Sequence, residues 1–227
     1  MTPAEAARVS VGSVQPLAAE RRPLRDALDA VLAEDVASPI DLPPWDNSAM
    51  DGYAVRSADV REGSSLAVIE TVAAGQFPRK TVTAGQAIRI FTGAPLPQGA
   101  DTVLRQEDTD ASANGRVTVR NTRDAGKNIR RRGEDIRKGA VVLPRGTALG
   151  PAQLGVLASI AHDQPLVHRS PRVAFMGSGD EIVDLDQKEA ILAGTKIATS
   201  NSYTLDASIR RAAAEPINLG IARDTRE

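Results

Sequence analysis

The sequence contains no cysteine in its 227 residues. That excludes a disulfide framework, a thiolate nucleophile and a cysteine-based metal site. It agrees with a reducing compartment, and a cytoplasmic location is expected. Aromatic residues make up only 3%, so the cores must rest on Val, Ile, Leu and Ala. The two histidines, His162 and His168, fall in one short connector. Two histidines without matching ligands make a poor metal site, and a structural role is expected. No apolar run approaches ~20 residues, so no membrane-spanning helix is expected. The N-terminus, "MTPAEAARVS", lacks the basic and long apolar regions of a signal peptide. An excess of one charge is also missing: Lys plus Arg is 28, Asp plus Glu is 29, and the net charge is −1. Such a chain has no global attraction to nucleic acid or acidic membranes. What is present, 41% hydrophobic and 25% charged residues, is the composition of a globular protein. The length suits one large domain or two to three small ones.

Local patterns divide the chain. Thr2-Pro3-Ala4-Glu5 has the form of a capping box with proline at the first helical position, and predicts an N-terminal helix. Leu24, Ala27, Leu28, Val31 and Leu32 make one apolar stripe and predict a second helix over about 24–32. From about Asp46 to Lys138, strand-like runs alternate with Gly and Pro. "SLAVIETV", "AIRIFTG" and "DTVLRQED" read as strands, and Asn114-Gly115 before "RVTVR" signals a hairpin. A short strand precedes a helix opening at Pro151, with Leu154, Leu157 and Ala161 on its apolar side. Val173 to Met176 reads as a buried strand running into a Gly-rich turn. Ser200 or Asn201 can cap a helix carrying Leu205, Ile209 and Ala212, and "PINLGI" reads as a second strand. Strand, helix, strand is a βαβ unit with a parallel pair. Asp224-Thr225-Arg226-Glu227 carries a helix-start signal at the very end. A parallel sheet requires both faces covered, so the chain is expected to stop within an α/β domain.

Four clusters could carry chemistry. "PPWDNSAMDGYAV" gathers Asp46, Asn47, Ser48 and Asp51; it suits either a turn network of short polar side chains or a ligand surface. In "IRIFTGAPLPQGAD", Thr92-Gly93 directly follows a strand, as a plain strand exit or as a backbone and hydroxyl site for an oxyanion. "KNIRRRGEDIRKG" sets six cationic side chains beside Glu134 and Asp135. It is either a solvated charged face or an anion site, since guanidinium forks bind oxyanions in bidentate fashion. The acidic neighbours argue against nucleic acid. "GSGDE", Gly177 to Glu181, lies at the carboxyl end of a strand, where α/β sheets receive ligands; Asp180 and Glu181 could hold Mg²⁺ through water.

Taken in this order, "EDVASPIDLPPWDNSAMDGYAV", "IRIFTGAPLPQGADTV", "NIRRRGEDIRKGAVVLPRGT", "SGDEIV" and "SNSYTLDASIRRAAAEPINLGIARD" resemble the molybdopterin molybdenumtransferase family, which includes MoeA and the gephyrin E domain. The resemblance covers nearly the whole chain. It implies the last step of molybdenum cofactor assembly: molybdate enters the dithiolene of adenylylated molybdopterin, AMP leaves, and Mg²⁺ is required. It implies a homodimer with an inter-subunit active site and a molybdopterin adenylyltransferase as the upstream partner. It places functional residues at Asp51, Thr92, Arg130, Asp135 and Glu181, with substrate contacts at Ser48, Ser178, Asp180 and Asn201 and magnesium at Asp180 and Glu181. The family usually has Ser-Thr before Gly-Asp-Glu, where this chain has Gly177-Ser178. Thr199 stands where the family often has Asp.

The fold implied is a mixed α and β multidomain chain. Residues 1–45 with 139–170 would form the N-terminal helices and linking domain, 46–138 a β-rich inserted domain, and 171–227 an incomplete α/β molybdopterin-binding domain. The family's remaining pterin and molybdate loops would lie beyond Glu227, so the chain alone is not expected to catalyse insertion. The alternative is a non-catalytic dimerising or protein-binding fragment related to the gephyrin E domain.

Overall fold

The computed structural model describes residues 1–112 and 114–225. The fold is mixed α and β, in two compact units: residues 37–142, and residues 1–36 together with 143–227. The expected β-rich insert lies inside the first unit, and residues 171–227 belong to the second.

In the unit 37–142, six strands form one mixed sheet. Their order is Thr102–Arg105, Gly52–Val55, Gln86–Ile90, Ser65–Val72, Arg116–Val119, Thr109–Ser112. Neighbours are antiparallel except Ser65–Val72 and Gln86–Ile90, which run parallel. The strands expected from the alternating pattern are all present. Because successive side chains point to opposite faces, Tyr53, Val55, Ala87, Leu104, Val117 and Val119 gather in one core cluster. Ala54, Ile88, Ile90 and Val103 gather in another with Val72 and Val82. Both clusters are almost wholly aliphatic, as the scarcity of aromatics requires. Each fully buried Val, Leu or Ile contributes ~1.5–3 kcal/mol. The Asn114-Gly115 hairpin joins Thr109–Ser112 to Arg116–Val119, with Gly115 left-handed at φ 69°. Away from the sheet, Asn47–Ser48 pairs antiparallel with Ile129–Arg130.

The other unit holds the helix Pro3–Ser13, closed by the expected capping box: Glu5 N donates to Thr2 Oγ1, and Thr2 N to Glu5 Oε2. Helix Pro151–Ser159 opens at its proline, with Leu157 buried. Ala161 lies beyond that helix at φ 59°. Strand Ala19–Arg21 pairs antiparallel with Leu166–His168. Arg172–Ser178 and Glu215–Ala222 form the expected parallel pair, with helix Ser200–Arg211 between them in sequence. His162 Nε2 meets Glu34 Oε1 at 3.2 Å, and His168 Nδ1 meets the Leu17 carbonyl at 2.8 Å.

Three local expectations are corrected. Residues 24–32 do not form a helix: a single 3-10 turn covers Leu24–Asp26, Asp29 is left-handed, and Val31 and Leu32 make isolated bridges to Ala148 and Val167. Without the helix the residues of the apolar stripe share no face: Ala27 and Leu32 are buried, and Ala30 with them, while Leu28 and Val31 stay exposed. The strand at Val173–Met176 is not buried; only Phe175 is, because its single sheet partner leaves the rest open. The residue before the last helix is Thr199, not Ser200 or Asn201. Its hydroxyl bonds Ser202 Oγ at 2.6 Å rather than a backbone N–H. The start signal at Asp224 to Glu227 runs into residues 226 and 227, outside the described residues.

Candidate functional site

Asp51 ends the polar loop and enters strand Gly52–Val55; Thr92 follows strand Gln86–Ile90. The two strands are antiparallel partners, so two residues 41 positions apart meet. Thr92 N and Thr92 Oγ1 both donate to Asp51 Oδ1 at 2.8 Å. The Thr92 backbone bond, then its hydroxyl bond, then the charge of Arg89 hold the Asp51 carboxyl below the usual carboxylate range. Both side chains are exposed. Ser48, in the same loop as Asp51, is fully buried. Its hydroxyl donates to the Met50 carbonyl at 2.5 Å and accepts from Met50 N at 3.3 Å. Its backbone is sewn to the threonine turn: Gly93 N donates to Ser48 O, and Ser48 N to Ala94 O. Ser48 therefore sets the loop's shape, and its hydroxyl is committed to the turn.

Arg130 and Asp135 are also brought together, Nη2 to Oδ2 at 2.9 Å, with Glu134 at 3.4 Å from Arg130 Nε. The whole arginine run is neutralised within its own unit. Arg131 pairs with Asp46 at 2.7 Å and Arg132 with Asp41 at 2.7 Å. The two carboxylates also accept backbone bonds, Asp46 from Arg132 and Asp41 from Lys138. Those backbone bonds, with the guanidinium bonds added, hold both carboxyls below their ordinary pKa.

Sequence reasoning missed Arg89. It lies cross-strand from Tyr53, with its guanidinium 5.0 Å from the Tyr53 ring and 4.8 Å from the Phe91 ring. Its Nη1 donates to the Gly52 carbonyl at 3.0 Å and its Nη2 to Gln106 Oε1 at 2.6 Å. The signal in the sequence was a charged residue inside the apolar run "AIRIF", just before the Thr-Gly turn. Nearby, the Trp45 ring meets Phe77 edge-on at 4.9 Å. Both line an open cavity of about 460 Å³ with Arg79, Lys80, Pro95 and Leu96. Trp45 Nε1 is buried and unpartnered.

The "GSGDE" turn belongs to the other unit and is described by itself. Gly179 is left-handed at φ 133°, and a Cβ there would lie 2.8 Å from Glu181 Oε2. Glycine is thus needed both for the backbone and for the Glu181 carboxylate to fold over it. Asp180 Oδ1 accepts from Asp224 N at 3.4 Å and stands 3.9 Å from Arg223. Ser178 Oγ donates to Asp224 Oδ1 at 3.3 Å. Asn201 is exposed in the first turn of helix Ser200–Arg211. Thr199 and Ser202, both buried, line a cavity of about 250 Å³ with Asp184, Asp186, Asn218 and Arg223. No cluster of three or more His, Cys, Asp or Glu suited to a metal occurs among the described residues. Nor is any helix among them long and apolar enough to cross a membrane.

Comparison with known proteins places this geometry. Residues 1–161 match the family model described as the MoeA N-terminal region, domains I and II. A molybdopterin molybdenumtransferase from Nostoc sp. is 43% identical over 199 residues, covering 86% of this chain and 45% of the relative. One from Haemophilus influenzae is 36% identical, covering 88% of this chain and 49% of its own length. A crystal structure of the molybdopterin biosynthesis MoeA protein from Pyrococcus horikoshii superposes with a TM-score of 0.86 at 34% identity, over 98% of this chain and 60% of that one. The chain spans about half the length of the curated relatives it matches. By its matched domains, its motifs and its fold, the chain belongs to the MoeA family.

Proposed function

We propose that this chain supplies the N-terminal half of a molybdopterin molybdenumtransferase, which inserts molybdate into adenylylated molybdopterin with release of AMP. The observation that carries the reading is the Asp51–Thr92 pair. Two motif residues far apart in sequence share an exposed carboxylate held ionised by two donors of one threonine. An ionised carboxylate beside a hydroxyl can accept or hold a proton as charge moves on a bound substrate. Arg130 and Asp135 form a second polar pair in the same unit. In the other unit, taken by itself, Ser178, Asp180, Glu181 and Asn201 are the proposed substrate contacts, and a homodimer fed by a molybdopterin adenylyltransferase is the expected setting. Magnesium, if held by Asp180 and Glu181, would be bound in its common mode of one or two carboxylates with water and substrate phosphate. Bound there, the ion would offset negative charge on that phosphate.

The test is molybdate-dependent release of AMP from adenylylated molybdopterin, measured on the complete gene product. We expect Asp51→Asn to lower the rate on the order of 10²-fold while the chain stays folded at the assay temperature. Full activity in that variant would remove Asp51 from the chemistry, and no molybdate-dependent release by the native protein would overturn the reading.

A further inference from the structure

The arginine run has the composition of an anion site, yet each of its members already faces a carboxylate: Arg130 faces Asp135, Arg131 faces Asp46, and Arg132 faces Asp41. Arg89 differs in three respects. Its hydrogen bonds go to neutral acceptors, the Gly52 carbonyl and the Gln106 side-chain amide. A guanidinium carries five N–H donors, so most of those on Arg89 remain uncommitted among the described residues. Its guanidinium also lies against two rings, each within the ~6 Å range of a cation–π contact. The side chain is ordered before any ligand arrives, which lowers the entropy cost of binding.

Its position is the third respect. Gly52, whose carbonyl Arg89 holds, directly follows Asp51. Gln106, whose side chain it holds, donates its own N–H to the Asp51 carbonyl at 3.0 Å. Arg89 thus braces Asp51 from both sides and lies three residues before Thr92. The other donors at this corner are spent: Thr92 N and Oγ1 on Asp51, and Gly93 N on Ser48.

We propose that Arg89 is the anion seat of this corner, holding a tetrahedral oxyanion — a phosphate group or molybdate — by its free guanidinium edge beside Asp51 and Thr92. The chemistry is that of a pre-aligned guanidinium whose own hydrogen bonds go to neutral acceptors and which binds such oxygens through parallel N–H donors. The Asp51 carboxylate lies within electrostatic reach of Arg89 and accepts both Thr92 donors on Oδ1, so the bound anion must sit on the guanidinium side of the corner.

This inference rests on the reading of Asp51 and Thr92 as a site, but not on turnover. Backbone amide shifts of the native chain are followed by NMR during titration with inorganic phosphate and, separately, with sodium molybdate. Saturable shifts are expected at Gly52, Thr92 and Gln106. Arg89→Gln should abolish them. Arg89→Lys, which keeps the charge and safeguards folding, should weaken binding at least about tenfold by losing the fork. Arg131→Gln should leave it intact. Preference for phosphate would assign the seat to a phosphate ester, and preference for molybdate to the metal oxyanion. The proposal is overturned if neither anion gives saturable shifts, if a folded Arg89 variant binds like the native chain, or if Arg131→Gln is the variant that loses binding. None of these readings needs an insertion assay, so failure of the proposed reaction would leave them standing, and their failure would leave the reaction open to its own test.

Discussion

Thr92 supplies two donors to one carboxylate oxygen, and they can be separated. Thr92→Val removes the hydroxyl and keeps the backbone N–H, which is the larger cause of the lowered Asp51 pKa. In this variant the Asp51 carboxyl should titrate higher than in the native chain yet still below an ordinary aspartate, near ~3.9. The sign follows from linkage. Asp51 has a depressed folded value, so the stability it contributes is complete above the unfolded value and is lost as pH falls through the folded one. In Thr92→Val the loss should be complete at a higher pH, because the folded value lies closer to the unfolded one. Carboxyl carbon shifts followed through acid pH measure this directly; an unchanged Asp51 titration would show that the hydroxyl bond contributes nothing. Asp51 and Thr92 were legible as polar residues in turns with special neighbours. Arg89 was hidden because Ala87, Ile88 and Ile90 make its segment read as an ordinary buried strand. The arginine run was legible as charge, but its neutralisation was not, since Asp41 and Asp46 lie 85 to 97 residues upstream of the groups they bind.

Among elements, strand Gly52–Val55 depends on its first residue. Gly52 reads in the sequence as the glycine of an Asp-Gly turn, but its φ is not left-handed. It is needed because the neighbouring strand passes too close: a Cβ there would lie 1.9 Å from the Leu104 carbonyl oxygen and 2.8 Å from its carbon. Both are backbone atoms that cannot swing away. Gly52→Ala should therefore destabilise by at least the upper end of the ~1–3 kcal/mol common for overpacking. For a chain of this size each kcal/mol lowers the melting temperature by roughly 2–4 °C. Gly12 gives the contrast: it lies inside helix Pro3–Ser13, and an added methyl would meet nothing within 4 Å. Gly12→Ala should raise stability by ~0.4–1 kcal/mol through the unfolded chain. Calorimetric melting of the two variants checks both signs. The neighbours of this strand, Gln86–Ile90 and Thr102–Arg105, were readable because alternation and Gly-Pro punctuation are local, whereas Gly52–Val55 itself was read only as part of a polar loop. The stretch 24–32 was misread because its apolar spacing fits a helical stripe, while the partners that bridge Val31 and Leu32, Ala148 and Val167, are distant in sequence.

Across the whole molecule, the two sets of candidate residues stand on supports of different strength. Strands Gly52–Val55 and Gln86–Ile90, which carry Asp51, Arg89 and Thr92, each have a sheet neighbour on both sides and buried aliphatic residues on both faces. Strand Arg172–Ser178, which leads into Asp180 and Glu181, has one neighbour among the described residues and one buried side chain, Phe175. Its partner Glu215–Ala222 has none that is buried. Local opening costs least where few apolar contacts guard the backbone hydrogen bonds. Amide hydrogen exchange on this chain should therefore be slowest at Tyr53, Ala54, Ile88 and Val103. It should be faster by orders of magnitude across 172–178 and 215–222, even at amides that are hydrogen-bonded in the parallel pair. Equal protection in both regions would show that something other than burial stabilises the parallel pair. If the difference is found, the Asp51 corner is pre-organised in this chain while the Glu181 turn is not. Electrostatic stabilisation of a reacting group depends on dipoles fixed before the reaction begins, so the first set meets an anion with its dipoles in place, whereas the second has to be ordered as the ligand binds.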